Sequence, residues 1–267
     1  MNKSILTLDN IHKIFQAGTP NENHVLKGLS LTVNKGDFIS FIGGNGSGKS
    51  TLLNSIAGSF PIDSGRIFLA AEALNARSEE ERASDIARVF QDPMMGTAPR
   101  MTIAENLAIA LKRGEKRGFG RTLNEEMHRQ FKELLADVGL NLESKLDVEV
   151  GSLSGGQRQV LALLMATIKK PKLLLLDEHV AALDPKATEQ VMRLTEERIQ
   201  EEEITSLMVT HNMQHAIDYG NRLIMMDGGQ IVIDLTREEK KNLSVTELVN
   251  LFHKKSGKEV LTEQKLL

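Results

Sequence analysis

The chain has no cysteine among its 267 residues. That excludes a disulfide framework, a zinc–thiolate site and a thiol nucleophile, and it suits a reducing compartment. There is no excess of positive charge either. Lysine and arginine number 33 against 36 aspartates and glutamates, a net charge of -3. Nothing here draws the chain to nucleic acid as a basic face would, so no nucleic-acid partner is expected. Long apolar runs are missing as well. The most apolar stretches, Val160 to Ile168 and Leu173 to Leu176, fall well short of the roughly 18 residues of a spanning helix. Met1 to Asn10 alternates apolar and polar residues and includes Asp9, whereas a signal peptide needs a longer apolar core behind a basic start. Work at a membrane would have to go through a partner. The chain has neither an internal repeat nor a low-complexity tract. What remains is an ordinary globular balance, 40% hydrophobic and 26% charged, enough for one large domain or two small ones.

Strand signals open the chain, with alternation from Ile5 to Asp9 and again over Leu29 to Val33, joined by the turn-rich segment Gly18 to Asn23. Phe38 to Ile42 is almost continuously apolar, as expected of a parallel strand buried on both faces. A glycine-rich loop follows, then a predicted helix from Lys49 to Ala57 with Gly58 as its C-cap. Met127, Phe131, Leu134, Leu135 and Val138 recur at helical spacing up to Gly139. A helix is predicted over Gln157 to Lys169, before Pro171. The apolar strand Leu173 to Leu176 ends at Asp177 and Glu178. Asp184 and Pro185 read as an N-cap and first helical position, opening a helix to Glu201. Thr205 to Val209 is a strand ending at Thr210 and His211. Arg222 to Met226 and Gln230 to Asp234 flank Asp227-Gly228-Gly229 as a hairpin. The charged tail from Arg237 carries Val245, Leu248, Val249 and Phe252 on one helical stripe. Acids and a histidine at the C-terminal ends of strands in an α/β chain point to a ligand site there.

Gly43-Gly44-Asn45-Gly46-Ser47-Gly48-Lys49-Ser50, followed by Thr51, fits G-x-x-x-x-G-K-[ST] between a strand and a helix. Glycines let successive N–H groups turn inward as an anion nest, and the helix N-terminus adds positive potential. Lys49 is placed to reach the β- and γ-phosphates of a nucleotide, and the Ser50 hydroxyl to ligate Mg²⁺. Asp177, pushed to the sheet edge by its apolar strand, is a candidate to hold Mg²⁺ through water. Glu178 is a candidate general base.

Leu153-Ser154-Gly155-Gly156-Gln157-Arg158-Gln159 lies shortly before that acidic strand end. It resembles the LSGGQ signature of the ABC ATPases, and the resemblance runs from about Leu6 to Asp234. It implies an α/β fold, a P-loop NTPase ABC cassette with a RecA-like parallel-sheet core, an N-terminal antiparallel β subdomain and an α-helical subdomain. Residues 1–235 would form a single ATPase domain, with the helical subdomain inserted at about 92–168, and 236–267 a helical tail. A Ser154-Gly155-Gly156 helix start is a second anion site beside the phosphate loop. In the family a head-to-tail dimer resolves this doubling, the signature of one copy covering the ATP of the other. Gln91, in Val89-Phe90-Gln91-Asp92-Pro93, resembles the Q-loop glutamine that contacts Mg²⁺ and the attacking water. His211 resembles the switch histidine. Ala181 to Asp184 resembles the D-loop. Phe15 resembles the aromatic that stacks on adenine, with a core role as its competitor. Gly44, His179-Val180 and Ala181 depart from common family residues without removing a phosphate, metal or base function.

The resemblance implies ATP and Mg²⁺ as cofactors, a transmembrane permease and a second copy as partners, and the cytoplasmic face of the membrane as location. It also implies an extracytoplasmic substrate-binding protein in the full system. Met94, Met95, Thr97, Ala98 and Met101 form a candidate docking patch for the permease, with core filling as the competing role. Lys112, Arg113, Lys116, Arg117 and Arg121 are expected in a solvated loop. The stretches 91–99 and 177–185 resemble stand-alone bacterial ATPases of importers, some linked to aromatic amino acids. A soluble ATPase of iron–sulfur cluster assembly and a lipoprotein or peptide exporter are the alternatives.

Overall fold

A computed structural model of the chain describes residues 3–115 and 123–256. It begins with β1 (Ser4–Phe15), β2 (Asn23–Asn34) and β3 (Phe38–Ile42), followed by α1 (Lys49–Ala57). Then come β4 (Ser64–Leu69), β5 (Glu72–Ala73), α2 (Glu79–Arg82) and β6 (Ile86–Val89). Three longer helices follow: α3 (Ile103–Leu111), α4 (Glu125–Ala136) and α5 (Gly155–Thr167). The chain returns through β7 (Leu173–Asp177), α6 (Pro185–Glu201), β8 (Ser206–Val209) and α7 (Met213–Asp218). It closes with β9 (Arg222–Asp227), β10 (Gln230–Thr236), α8 (Arg237–Lys240) and α9 (Val245–Ser256).

The strands form two sheets. One is antiparallel in the order β2-β1-β4-β5, the other runs β10-β9-β3-β8-β7-β6. In the second, β6, β7, β8, β3 and β9 pair in parallel, and β10 adds antiparallel to β9. Parity along β7 shows why its run of leucines is unbroken. Leu173 and Leu175 enter one core with β3's Ile39 and Phe41, α1 and the antiparallel sheet. Leu174 and Leu176 enter the other, with α3, α5 and α6. All four are fully buried, so a polar residue on either face would be left without water or partner. The polar break comes only where the strand leaves the layers, at Asp177 and Glu178.

Local chemistry fixes the helix ends. Gly58 takes the left-handed conformation at the end of α1, its N–H bonded to the Asn54 carbonyl. Asp184 caps α6 by accepting from the Ala187 N–H, with Pro185 at the first position. Ser154 caps α5 in a capping box with Gln157, which starts that helix two residues earlier than the apolar spacing predicts. Both N-terminal strands are longer than the alternation implies. Asn10 sits at a φ of 49°, and register shifts around it flip the buried phase of β1 between Leu8 and Ile11. A bulge of this kind hides half a strand from a period-2 reading.

The tail packs as its stripe predicts. Leu248 and Phe252 are buried against Ile42, Leu223 and Met225. Lys240 on α8 is also buried and donates to the Ala216 and Tyr219 carbonyls at the end of α7. One expectation is corrected. Arg113 is no solvated loop residue. Its Nη1 and Nη2 donate to the Ala166 and Lys169 carbonyls at 3.0 and 2.6 Å, satisfying the C-terminal end of α5. Lys112 is exposed, and Lys116, Arg117 and Arg121 lie outside the described residues, as do residues 257–267 of the tail.

Candidate active site

The phosphate-loop segment leaves the end of β3 and enters α1 through Gly48, whose φ is 101°. Gly43 is held tightly: a Cβ there would meet the Met226 carbonyl oxygen at 2.2 Å, so no other residue fits without moving β9. The turn between β9 and β10 braces the loop from behind. The Gly229 N–H donates to the Ser47 carbonyl at 3.1 Å. Unlike α3, α5 and α6, helix α1 has no side chain capping its N-terminus. Its orphan N–H groups and dipole are left for an external anion.

Lys49 is buried. Its Nζ donates to the Gly43 carbonyl at 2.6 Å and the Gly44 carbonyl at 3.2 Å, which stretches the side chain back across the loop. Burial pushes the Lys49 ammonium down from its ordinary range, while the Glu178 and Asp177 carboxylates hold it up. The loop opens on a cleft of about 340 Å³. Phe15, Asn23 and Val25 from the antiparallel sheet, Asn45 to Thr51 from the loop, Glu178 and His211 line it.

Glu178 follows β7 with a φ of 48°, a conformation that costs a non-glycine residue about 1–2 kcal/mol. The kink turns its side chain toward the end of β8. There His211 Nε2 lies 2.5 Å from Glu178 Oε1. The pair divides the cleft from a larger, mainly apolar cavity of about 870 Å³ that reaches α7 and α9. The smaller cleft holds the anion-binding groups and is the site of interest. A carboxylate set against an imidazole and facing a phosphate cradle is arranged to take a proton from water.

Asp177 stands beside this pair with 15% of its side chain exposed, and Arg88 Nη2 donates to its Oδ2 at 2.6 Å. Among the described residues no group of three or more His, Cys, Asp or Glu side chains could hold a metal. The Ser50 hydroxyl and the Asp177 carboxylate are instead hard oxygen donors. They suit a Mg²⁺ that keeps water and phosphate oxygens as its other ligands.

Phe15 is 36% exposed and meets Phe60 edge-on at 5.3 Å. It lines the cleft rather than the core, which favours ring stacking over the competing core role. Gln91 is exposed beyond β6 and outside the cleft lining. Ser154, Gly155, Gly156 and Gln157 also lie outside it. They start α5 and pack against the next elements, Gly155 near Leu183 and Gly156 near Ala187. Ser154 and Gln157 are engaged with each other in the capping box, and Asp184 with its own helix. The fold thus gathers Phe15, the loop, Glu178 and His211 at one cleft. It leaves the second anion-binding helix start facing elsewhere. Met94 and Met95 are exposed, 38% and 70%, as a docking patch needs and a core does not.

Sequence reasoning missed Arg88, Asn23, Val25 and the bracing glycine turn. The signal for Arg88 was there: an arginine in an otherwise apolar strand, two residues before Phe90.

His179, next to Glu178, is buried with Nε2 3.2 Å from Thr195 Oγ1. Burial, helped by nearby His215, pushes its pKa down to about 4. The unfolded imidazole titrates near 6.5. Between these values the unfolded chain takes up a proton that the folded chain refuses. Stability is therefore complete above about pH 6.5 and falls as the pH drops through about 4, by about 3 kcal/mol in all. Urea midpoints at about pH 7 and about pH 4.5 should converge in His179→Leu relative to the unsubstituted chain. Parallel losses in both would rule His179 out as the cause.

The arrangement has counterparts among known proteins. The family model described as ABC transporter matches residues 26–181. A tyrosine transport ATP-binding protein of Clostridioides difficile (strain R20291) is 44% identical over 248 residues, covering 93% of this chain and 98% of that protein. The spermidine/putrescine import ATP-binding protein PotA of Haemophilus ducreyi (strain 35000HP) is 34% identical over 92% of this chain and 63% of its own length. Among solved structures, an ATP-binding cassette of an ABC transporter in its ADP conformation superposes with a TM-score of 0.75. It is 31% identical, over 93% of this chain and 98% of that one. A dimeric cassette in a post-hydrolysis state bound to ADP and inorganic phosphate gives a TM-score of 0.74 at 28% identity, over 87% and 99%.

Proposed function

This chain belongs to the ABC transporter family as an ATP-hydrolysing cassette, and from that premise we propose that it powers the import of an amino acid through a membrane permease. The observation that carries the substrate class is the 44% identity, over nearly full length, to a tyrosine transport ATP-binding protein. The exposed Met94 and Met95 beside Gln91 support a permease docking surface there. No described helix is long and apolar enough to cross a membrane, so the chain would sit on the cytoplasmic face by binding its permease. An extracytoplasmic substrate-binding protein would deliver the solute. Residues 1–235 are read as one ATPase domain with the helical part inserted at about 92–168, and 236–267 as a tail.

The roles follow from the site. Phe15 stacks on the adenine. The N–H groups of Gly43 to Thr51 and the Lys49 ammonium take the phosphates. Ser50 and Asp177 would hold Mg²⁺, which when bound neutralises charge on the phosphate oxygens; Gln91, outside the cleft lining, would join them only by moving inward. Glu178, oriented by His211, draws a proton from the attacking water, which places hydroxide character in line with the γ-phosphorus. One chain leaves Ser154, Gly155, Gly156 and Gln157 outside the cleft. A second copy facing head to tail, with the D-loop residue Asp184 at the junction, would bring that helix start over the γ-phosphate. The dimeric state of the ADP- and phosphate-bound relative supports this reading.

Reconstitution tests it. The chain, assembled with its permease in liposomes, should accumulate labelled tyrosine only with ATP on the cassette side. Competition by spermidine rather than by aromatic amino acids would overturn the substrate class. Efflux instead of uptake would overturn the direction.

A further inference from the structure

Arg88 has no part in the roles above, yet it occupies a costly position. It lies on β6, on the same face as Asp177 by the register that pairs Arg88 with Leu175 and Val89 with Leu176. Its side chain is 13% exposed and tied at three points. Nη2 donates to Asp177 Oδ2 at 2.6 Å. Nη1 donates to Asn54 Oδ1 at 2.6 Å, on the helix that begins in the phosphate loop. The guanidinium lies 4.6 Å from the centroid of the Phe90 ring, one residue before Gln91. Its Nε is buried with no hydrogen-bond partner among the described residues. A methionine or leucine would fill the slot without desolvating a charge, so filling space does not account for an arginine here.

Charge balance does. Two carboxylates, Asp177 and Glu178, stand at the end of β7. Lys49, which interacts with both, and Arg88, bonded to Asp177, stand against them. Before nucleotide arrives, two acids are matched by two cations, and a divalent cation meets little net attraction. A triphosphate on the loop brings new negative charge and engages Lys49, which tips the balance toward metal.

We propose that Arg88 is a positioning residue that holds Asp177 in the nucleotide-free chain, so that a divalent cation enters only together with the nucleotide. The proposal rests on Asp177 being the metal-holding carboxylate. It assigns Arg88 a place in the order of binding rather than in the hydrolysis step. Asn54 and Phe90 keep the guanidinium in place when Asp177 turns to the metal.

Mn²⁺, a paramagnetic stand-in for Mg²⁺, gives a readout independent of turnover. Free Mn²⁺ is titrated by electron paramagnetic resonance against the nucleotide-free full chain. Arg88→Met and Arg88→Gln should each bind Mn²⁺ at least about tenfold more tightly than the unsubstituted chain. Arg88→Lys, which keeps the charge, should not. A misfolded variant would lose binding rather than gain it, and two neutral variants guard against one failing to fold. The gain must vanish in Arg88→Met/Asp177→Asn. Equal Mn²⁺ affinity with and without Arg88, or a gain that survives Asp177→Asn, overturns the proposal. Asp177→Asn alone, titrated with a non-hydrolysable ATP analogue present, tests the underlying reading. Unchanged Mn²⁺ affinity there removes Asp177 from the metal site and the proposal with it. A loss there, beside equal affinities in the nucleotide-free chains, leaves the site reading intact and overturns the role of Arg88 alone.

Discussion

Replacing Glu178 by glutamine is expected to cut steady-state phosphate release by about 10²- to 10⁴-fold while leaving ATP affinity nearly unchanged. The substitution is almost isosteric. It keeps an oxygen for the 2.5 Å contact with His211 Nε2, and glutamine tolerates the left-handed backbone about as well as glutamate does. What it removes is the basic lone pair facing the cleft. With water no longer activated, ATP should persist in the site, and a head-to-tail dimer that hydrolysis would loosen should accumulate. Phosphate-release kinetics and sizing chromatography in ATP measure the two halves. Normal turnover in Glu178→Gln would show that another group takes the proton. Slow turnover without an ATP-dependent dimer would keep the base and remove the sandwich.

Lys49→Ala is expected to weaken ATP binding by about 100-fold or more, a loss of about 2–3 kcal/mol, the range for charge-assisted hydrogen bonds. Two effects add. The ammonium is lost as a phosphate partner, and the Gly43 and Gly44 carbonyls lose the donor that draws the loop together. The two acids at the end of β7 also lose a counter-charge, which further disfavours an anionic ligand. Thermal unfolding separates binding from folding. At an ATP concentration of about 100 times its dissociation constant, the unsubstituted chain gains about 2.7 kcal/mol of stability. The variant should gain almost none at the same concentration. Equal stabilisation by ATP in both chains would remove Lys49 from the phosphate site.

What could be seen in the sequence was local. The phosphate loop, the Gly58 C-cap, the Asp184-Pro185 helix start and the leucine run of β7 each depend on residues within one turn or one strand. Turn chemistry and capping are written at that range. What could not be seen was non-local. Strand β6 is four residues long and carries Arg88, whose partners Asn54 and Asp177 lie 34 and 89 residues away. Spacing alone cannot connect them. Arg113 reads as one of a basic series until the end of α5 is placed beside it. The bulge at Asn10 broke an alternation that would otherwise have marked the whole of β1. Helix α3 carries a local signal too, the capping box of Thr102 and Glu105, but it was not among the predicted elements. Gln91 and the Ser154 helix start are a different case. Their residue types are informative, but a single chain does not bring them to the cleft.

Strand β3, which carries the phosphate loop, lies between β8 and β9, and both are made from residues 206–227. On a ribosome adding about 5–20 residues per second, that strand waits roughly 10–40 seconds for its neighbours. Until they emerge, Phe38 to Ile42 has no strand partner, the leucines of β7 pair only with β6, and Gly43 lacks the Met226 backbone that packs against it. A nascent chain of this kind is exposed to aggregation for most of its synthesis. Its ability to hold nucleotide arrives late and all at once, when β9 closes the sheet.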